Sequence, residues 1–157
     1  MKIKIWSIGK PHESYVKEGI DLFTKRITNY FSIEWTIIPI PKNAGSMESS
    51  MQKMKEGEVI LSMLSKDDCV VLLDENGKGF TSELFAKFIE QRTIESEKTL
   101  VFLIGGAYGA SNEIKKRANY TWSLSQLVFP HQLVRLILVE QIYRACSIIR
   151  NEKYHHA

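Results

Sequence analysis

His131 and Arg135 stand one helical turn apart in Phe129-Pro-His-Gln-Leu-Val-Arg135, and Glu140 and Arg144 repeat that spacing. An imidazole, two guanidiniums and a carboxylate on one helix could move a proton or hold a negatively charged group. Glu140 and Arg144 would equally form an ion pair that only steadies the helix, and residue type alone leaves both roles open. The chain then runs Asn151-Glu-Lys-Tyr-His-His-Ala157. A frayed end is the ordinary reading of such a tail. Yet Lys153, Tyr154 and His155 are residue types that meet a phosphate or stack on a base.

Gly105-Gly106-Ala107-Tyr108-Gly109 directly follows the apolar run Leu100–Ile104. Glycines let a backbone approach a ligand closely. Their spacing, G-G-x-x-G, is neither the dinucleotide fingerprint nor a P-loop, so a nucleotide-like ligand remains open but those two modes do not fit. Leu72-Leu73-Asp74-Glu75-Asn76-Gly77-Lys78-Gly79 leaves the end of another apolar run, where α/β sheets collect ligands. Asn-Gly and Lys-Gly also make plain turns, which is the simpler reading here.

The elements that must position these residues alternate in type. Residues 2–8 read as a strand, and Val16, Ile20, Phe23, Ile27 and Tyr30 mark one helical face. Residues 33–40 suggest a second strand ending at prolines. In the next helix Met47, Met51, Met54, Leu61 and Leu64 are expected to form the buried side. The continuous apolar runs Cys69–Leu73 and Leu100–Ile104 suit strands covered on both faces. Thr81 or Ser82 can cap a helix carrying Leu84, Phe85, Phe88 and Ile89, and Ser111 can cap a short one. Residues 120–124 form a last strand, and Pro130 fits the first turn of a nearly all-apolar helix reaching about Arg150. So apolar a helix belongs to the core or to a dimer interface. This order predicts an α/β fold with a mostly parallel sheet and helices on both faces.

With 157 residues, the chain is expected to be one domain, 1–157. Its 44% hydrophobic and 25% charged residues are those of a soluble globular protein. The start lacks a signal peptide's apolar core and no run is long enough to span a bilayer, so a cytoplasmic location and no membrane are expected. Cys69 and Cys146 lie in apolar stretches without metal-ligand spacing, so no metal is expected. A net charge of +3 is compatible with a polyanionic partner without requiring one.

Taken together, Leu-Ile-Gly-Gly-x-x-Gly at 103–109, Trp-Ser-Leu-Ser at 122–125, Phe-Pro-His-Gln-Leu-Val-Arg at 129–135, Glu-Gln-Ile-Tyr-Arg-Ala at 140–145 and Tyr-His at 154–155 resemble one family. It is the ribosomal RNA large subunit methyltransferase H family of the SPOUT superfamily, and the resemblance covers essentially the whole chain. It implies a homodimer with a C-terminal trefoil knot, which topology rules alone would have excluded. It also implies an S-adenosylmethionine (S-adenosyl-L-methionine) cofactor and methylation of N3 of a pseudouridine in large-subunit ribosomal RNA, on the assembled ribosome. Carried over by position, Leu73, Gly105, Gly106, Leu124, Ser125, Gln126, Leu127, Val128 and Phe129 are expected at the cofactor.

Methyl transfer requires N3 to lose its proton before or during attack. The candidates are His155 as base, Tyr154 packed on the target base, and Arg144 or Arg135 as the positive charge. Glu140 is the partner of Arg144, and His131 acts there or holds the knot loop. A related enzyme acting on transfer RNA, a non-catalytic RNA-binding dimer and a dinucleotide-dependent oxidoreductase are the rival readings.

Overall fold

Seven residues of alternating side-chain direction, Lys2–Ile8, make the first strand, and each later apolar run adds one more beside or near it. In the computed structural model, which describes residues 1–156, the order is β1 (Lys2–Ile8), α1 (Ser14–Ile27), β2 (Ser32–Ile38), a short 3-10 turn (Ala44–Ser46) and α2 (Ser49–Met63). Then follow β3 (Cys69–Gly79), α3 (Ser82–Ile94), β4 (Thr99–Ile104), α4 (Asn112–Arg117), β5 (Tyr120–Ser123) and α5 (His131–Ile149). The expected helix caps are present: Thr81 accepts from the Leu84 N–H and Ser111 from the Ile114 N–H. Pro130 stands just before α5, where its missing N–H leaves no helical hydrogen bond unmade.

The five strands pair in the order β2-β1-β4-β3-β5, and every pairing is parallel. Strands joined in parallel need crossovers, and here the crossovers are helices. Side-chain alternation divides the apolar residues between two layers. Ile3, Ile5, Val71, Leu100, Phe102 and Trp122 pack with Val16 and Ile20 of α1, Phe85 and Ile89 of α3, and Leu138 and Ile142 of α5. Trp6, Ile8, Val70, Leu72, Val101 and Leu103 face the other way, onto Ile60 of α2 and Ile114 of α4. Helices therefore cover both faces, as the doubly buried strands required. Both cysteines are buried and free.

Two expectations need correction. The methionine stripe of α2 is not core: Met51 and Met54 are 45% and 48% exposed. The residues α2 buries are Gln52, Glu56, Gly57 and Ile60, so its inward side carries a carboxylate and a glycine. The segment 74–79 is also no simple turn. Leu73 and Lys78 of β3 both pair with Trp122 of β5, so residues 74–77 are looped out of a strand that resumes at Lys78. Gly77 makes that return possible, because a β-carbon there would stand 2.8 Å from the Thr121 backbone.

All strands being parallel, their carboxyl ends share one edge. From β3 the chain turns to α3 on one face, and from β4 to α4 on the other. Between these adjacent strands no crossover helix closes the edge, which is the place where open α/β sheets bind ligands.

Candidate functional site

A cavity of about 320 Å³ occupies that edge. Leu73 with the looped-out residues Asp74–Asn76 forms one wall and Ile104–Ala107 with Gly109 a second. The stretch after β5, Ser123–Ser125 with Leu127–Phe129, forms a third, and His131 and Val134 of α5 complete the lining. Its size lies in the range of small-molecule sites.

Local hydrogen bonds hold each wall. The Asn76 N–H donates to Asp74 Oδ1 at 2.8 Å, a side-chain turn that shapes the looped-out segment. In the glycine loop the Gly109 N–H donates to the Gly106 carbonyl at 3.0 Å, and Gly109 has φ +82°, a conformation that favours glycine. The Ser123 hydroxyl donates to the Ser125 carbonyl and the Leu127 N–H donates to Ser125 Oγ, which curls the third wall. Leu127 and Val128 are 69% and 80% exposed although they border the cavity.

The residues expected at the cofactor are thus gathered with one exception. Leu73, Gly105, Gly106, Leu124, Ser125, Leu127, Val128 and Phe129 line the cavity, whereas Gln126 is exposed and does not. Asp74 and Glu75 supply carboxylates, and no Lys or Arg stands among the described residues of the lining. That balance disfavours a polyphosphate and suits a ligand with positive charge. His131 sits at the rim, where burial and then the nearby Arg135 charge hold its pKa below the usual histidine value.

The residues expected to act on the substrate separate. Arg135 is 1% exposed and lies under the turn after β1, not in the cavity lining. Its Nε donates to Ser7 Oγ at 2.8 Å and its Nη1 to the Lys10 carbonyl at 2.8 Å, with His12 Nδ1 at 3.3 Å. As a free cation for the reacting base it is therefore misplaced in this chain.

Glu140, Arg144, Tyr154 and His155 do come together, at the middle of α5 and the docked tail. Glu140 Oε1 accepts from Arg144 Nη2 at 2.6 Å and from the Tyr154 hydroxyl at 3.0 Å. The Arg144 guanidinium lies over the Tyr154 ring, 4.8 Å from its centroid. Burial and the bond to Glu140 push the Tyr154 pKa up. Arg144 Nη1 lies 3.2 Å from His155 Nδ1, and His155 Nε2 lies 2.9 Å from Glu83 Oε1. A guanidinium only donates, so the network assigns Nδ1 as acceptor and puts the proton on Nε2, which donates to Glu83. That hydrogen bond holds the Glu83 carboxyl below its usual range. None of the four residues lines the cavity. Glu140 is nine residues beyond His131, about 14 Å along the helix axis.

The family model described as a predicted SPOUT methyltransferase matches residues 1–155. The chain belongs to the SPOUT methyltransferase family. Three relatives, each named ribosomal RNA large subunit methyltransferase H, match it nearly end to end. The protein of Cytophaga hutchinsonii is 45% identical over 99% of this chain and 100% of its own length. Those of Christiangramia forsetii and Flavobacterium johnsoniae are 46% and 47% identical over 99% of both chains. The resemblance seen in the sequence is upheld, and this SPOUT methyltransferase is an enzyme whose relatives are named for ribosomal RNA.

Sequence reasoning passed over two acidic groups in this methyltransferase. Glu83 was hidden beside the capping residues of α3, whose helical role accounted for the segment. Glu56 lay inside what read as a methionine-faced helix, and only its burial distinguishes it. Among the described residues no group of three His, Cys, Asp or Glu side chains is placed to hold a metal ion, and no helix is long and apolar enough to cross a membrane.

Proposed function

We propose that this SPOUT methyltransferase uses S-adenosylmethionine to methylate N3 of a pseudouridine in large-subunit ribosomal RNA, on the assembled ribosome, in the cytoplasm. The observation that carries the cofactor assignment is the cavity at the carboxyl ends of β3, β4 and β5, bordered by carboxylates and by glycine backbone. S-adenosylmethionine joins an adenosine to an amino acid through a sulfonium, and its ammonium, carboxylate and sulfonium sum to one positive charge. A lining that holds Asp74 and Glu75 and, among the described residues, no Lys or Arg accommodates that charge. The names of the relatives support the RNA class. The whole chain, 1–157, acts as one domain, and family membership supports a trefoil knot in its C-terminal part.

When bound, the cofactor supplies an electrophilic methyl, and the protein must position and deprotonate the acceptor. Leu73, the Gly105–Gly109 loop and residues 124–129 enclose the cofactor, with Gln126 outside the contact set. His155 takes the N3 proton, Tyr154 packs on the target base, and Arg144 offsets charge developing on the deprotonated ring. Both ring nitrogens of His155 are occupied in the docked tail, so its action as a base begins with release of Nδ1 from Arg144. Glu140 orients Arg144 and Tyr154. Pocket and tail stand apart along α5 in one chain, and pairing as a homodimer brings the tail of one copy to the pocket of the other.

The test is transfer of labelled methyl from S-adenosylmethionine to intact ribosomes, separated subunits and transfer RNA, with mass mapping of the product. Label on a large-subunit pseudouridine is the expected result. Label on transfer RNA alone, or none with cofactor demonstrably bound, overturns the substrate assignment.

A further inference from the structure

Glu56 stands in the middle of α2 with 3% of its surface exposed. Its Oε2 accepts a hydrogen bond from Gln52 Nε2 at 3.2 Å, and its Oε1 has no partner among the described residues. None of the ion pairs among the described residues includes it. Burial pushes its carboxyl above the usual range, and the bond from Gln52 opposes that only in part. A carboxylate left in this condition is unfavourable for folding. The apolar packing of α2 does not need it either, since Ile60, one turn further on, fills that layer.

What Glu56 faces is the glycine loop. A β-carbon on Gly106 would stand 2.8 Å from Glu56 Oε2 and 2.9 Å from Cδ, so only a glycine lets the carboxylate come this close. Gly106 is also a wall of the cavity. One glycine backbone therefore separates a buried carboxylate without an ion-pair partner among the described residues from the cavity. Asp74 and Glu75 border the same cavity but are partly or wholly exposed, where water and salt screen them. When ionised, Glu56 has no such screening, and a cation in the cavity would both favour that ionised form and meet its field at low effective dielectric.

Resting on the cofactor reading above, we propose that Glu56 is a specificity-determining residue that makes the pocket hold S-adenosylmethionine in preference to its uncharged thioether product, S-adenosylhomocysteine. The two share the adenosine and the amino-acid group and differ by one methyl and one positive charge. Transfer of the methyl to N3 leaves the electron pair on sulfur and abolishes that charge, so the attraction to Glu56 ends when the reaction does.

Calorimetric titration of the 157-residue protein and of Glu56→Gln with each of the two molecules tests this. The wild-type protein should bind S-adenosylmethionine more tightly, and Glu56→Gln should lower that preference about tenfold while changing affinity for the thioether less than about threefold. An unchanged preference, or equal weakening of both ligands, overturns the proposal. Glu56→Asp, which keeps the charge, serves if the glutamine variant does not fold: retained preference supports the proposal and lost preference overturns it. Wild-type protein that binds both molecules equally overturns the role of Glu56 alone. Wild-type protein that binds neither overturns the cofactor reading itself.

Discussion

Replacing Arg135 by methionine separates a structural guanidinium from a reacting one. Methionine fills much of the same space but donates nothing, so the buried Ser7 hydroxyl loses its donor at 2.8 Å and the Lys10 carbonyl loses its own. Hydrogen bonds to a charged group contribute about 1.5–3 kcal/mol each. Removing the buried guanidinium also removes its desolvation cost, which the lowered Arg135 pKa records. The net loss is on the order of 3 kcal/mol, near the lower end for breaking a buried charged contact. For a chain of 157 residues this corresponds to a fall in Tm of about 6–12 °C. Thermal unfolding followed by circular dichroism reads the fall directly. Methyl transfer at 20 °C, where about 3 kcal/mol still leaves a typical domain mostly folded, should stay within a few-fold of wild type. A Tm within about 2 °C of wild type together with abolished transfer would refute the reasoning, because only a guanidinium at the reacting base behaves that way.

His155→Ala should lower turnover while S-adenosylmethionine affinity, measured by calorimetry, stays unchanged; equal turnover with saturating cofactor and ribosomes removes His155 from the mechanism. Glu56 contributes a pH-dependent penalty whose sign follows from its raised pKa. The folded state holds the proton more tightly than the unfolded, so stability is greatest below the unfolded value and declines as pH rises through the folded one. Glu56→Gln should accordingly be about 1 kcal/mol more stable than wild type at pH 8 and nearly equal at pH 4 in urea unfolding, and a gain confined to pH 4 would contradict this sign. Gly57→Ala places a methyl onto Ser111 Oγ, the cap of α4, and should cost about 1–2 kcal/mol in the same assay. Naked RNA fragments should be poor methyl acceptors, since so small a chain presents little surface for reading sequence; equal rates on a short hairpin and on ribosomes would contradict recognition of the particle.

The alternation of strands and helices was legible because apolar period and turn residues report local burial directly. β4, for example, is Thr99–Ile104, the continuous apolar run Leu100–Ile104 with one residue before it. The detour at 74–77 was not legible, since Asn-Gly specifies a turn and only pairing with β5 returns the chain to the sheet. Periodicity also misplaced the face of α2, because it weighs methionine above glutamate. What turns Glu56 and Gly57 inward is the close approach of Gly106 and Ser111, contacts made by residues about 50 positions away. Arg135 and Arg144 illustrate the same limit: both follow a polar residue by one turn, yet one is buried under β1 and the other is shared with the tail. The tail itself contradicts the ordinary expectation of fraying, since Tyr154 and His155 are pinned to α5 and α3. Spacing alone did not separate the cavity residues from ordinary loops; the family resemblance did.

The centre of the sheet sets the timetable on which this protein can be made. β1 leaves the ribosome well before β4, its inner neighbour, so that Lys2 must wait for Thr99. After β2 ends at Ile38, synthesis continues for 66 residues, 104 minus 38, before β4 is complete. At cellular elongation rates that interval is about 3–13 s. Throughout it one edge of β1 is open, with Ile3 and Ile5 lacking the layer that later buries them completely. Parallel pairing at such separation is also intrinsically slow, because loop closure precedes any gain from contact. The nascent chain therefore carries an unpaired apolar strand for seconds, and β1 waits for β4, the strand that ends up at the centre of the sheet.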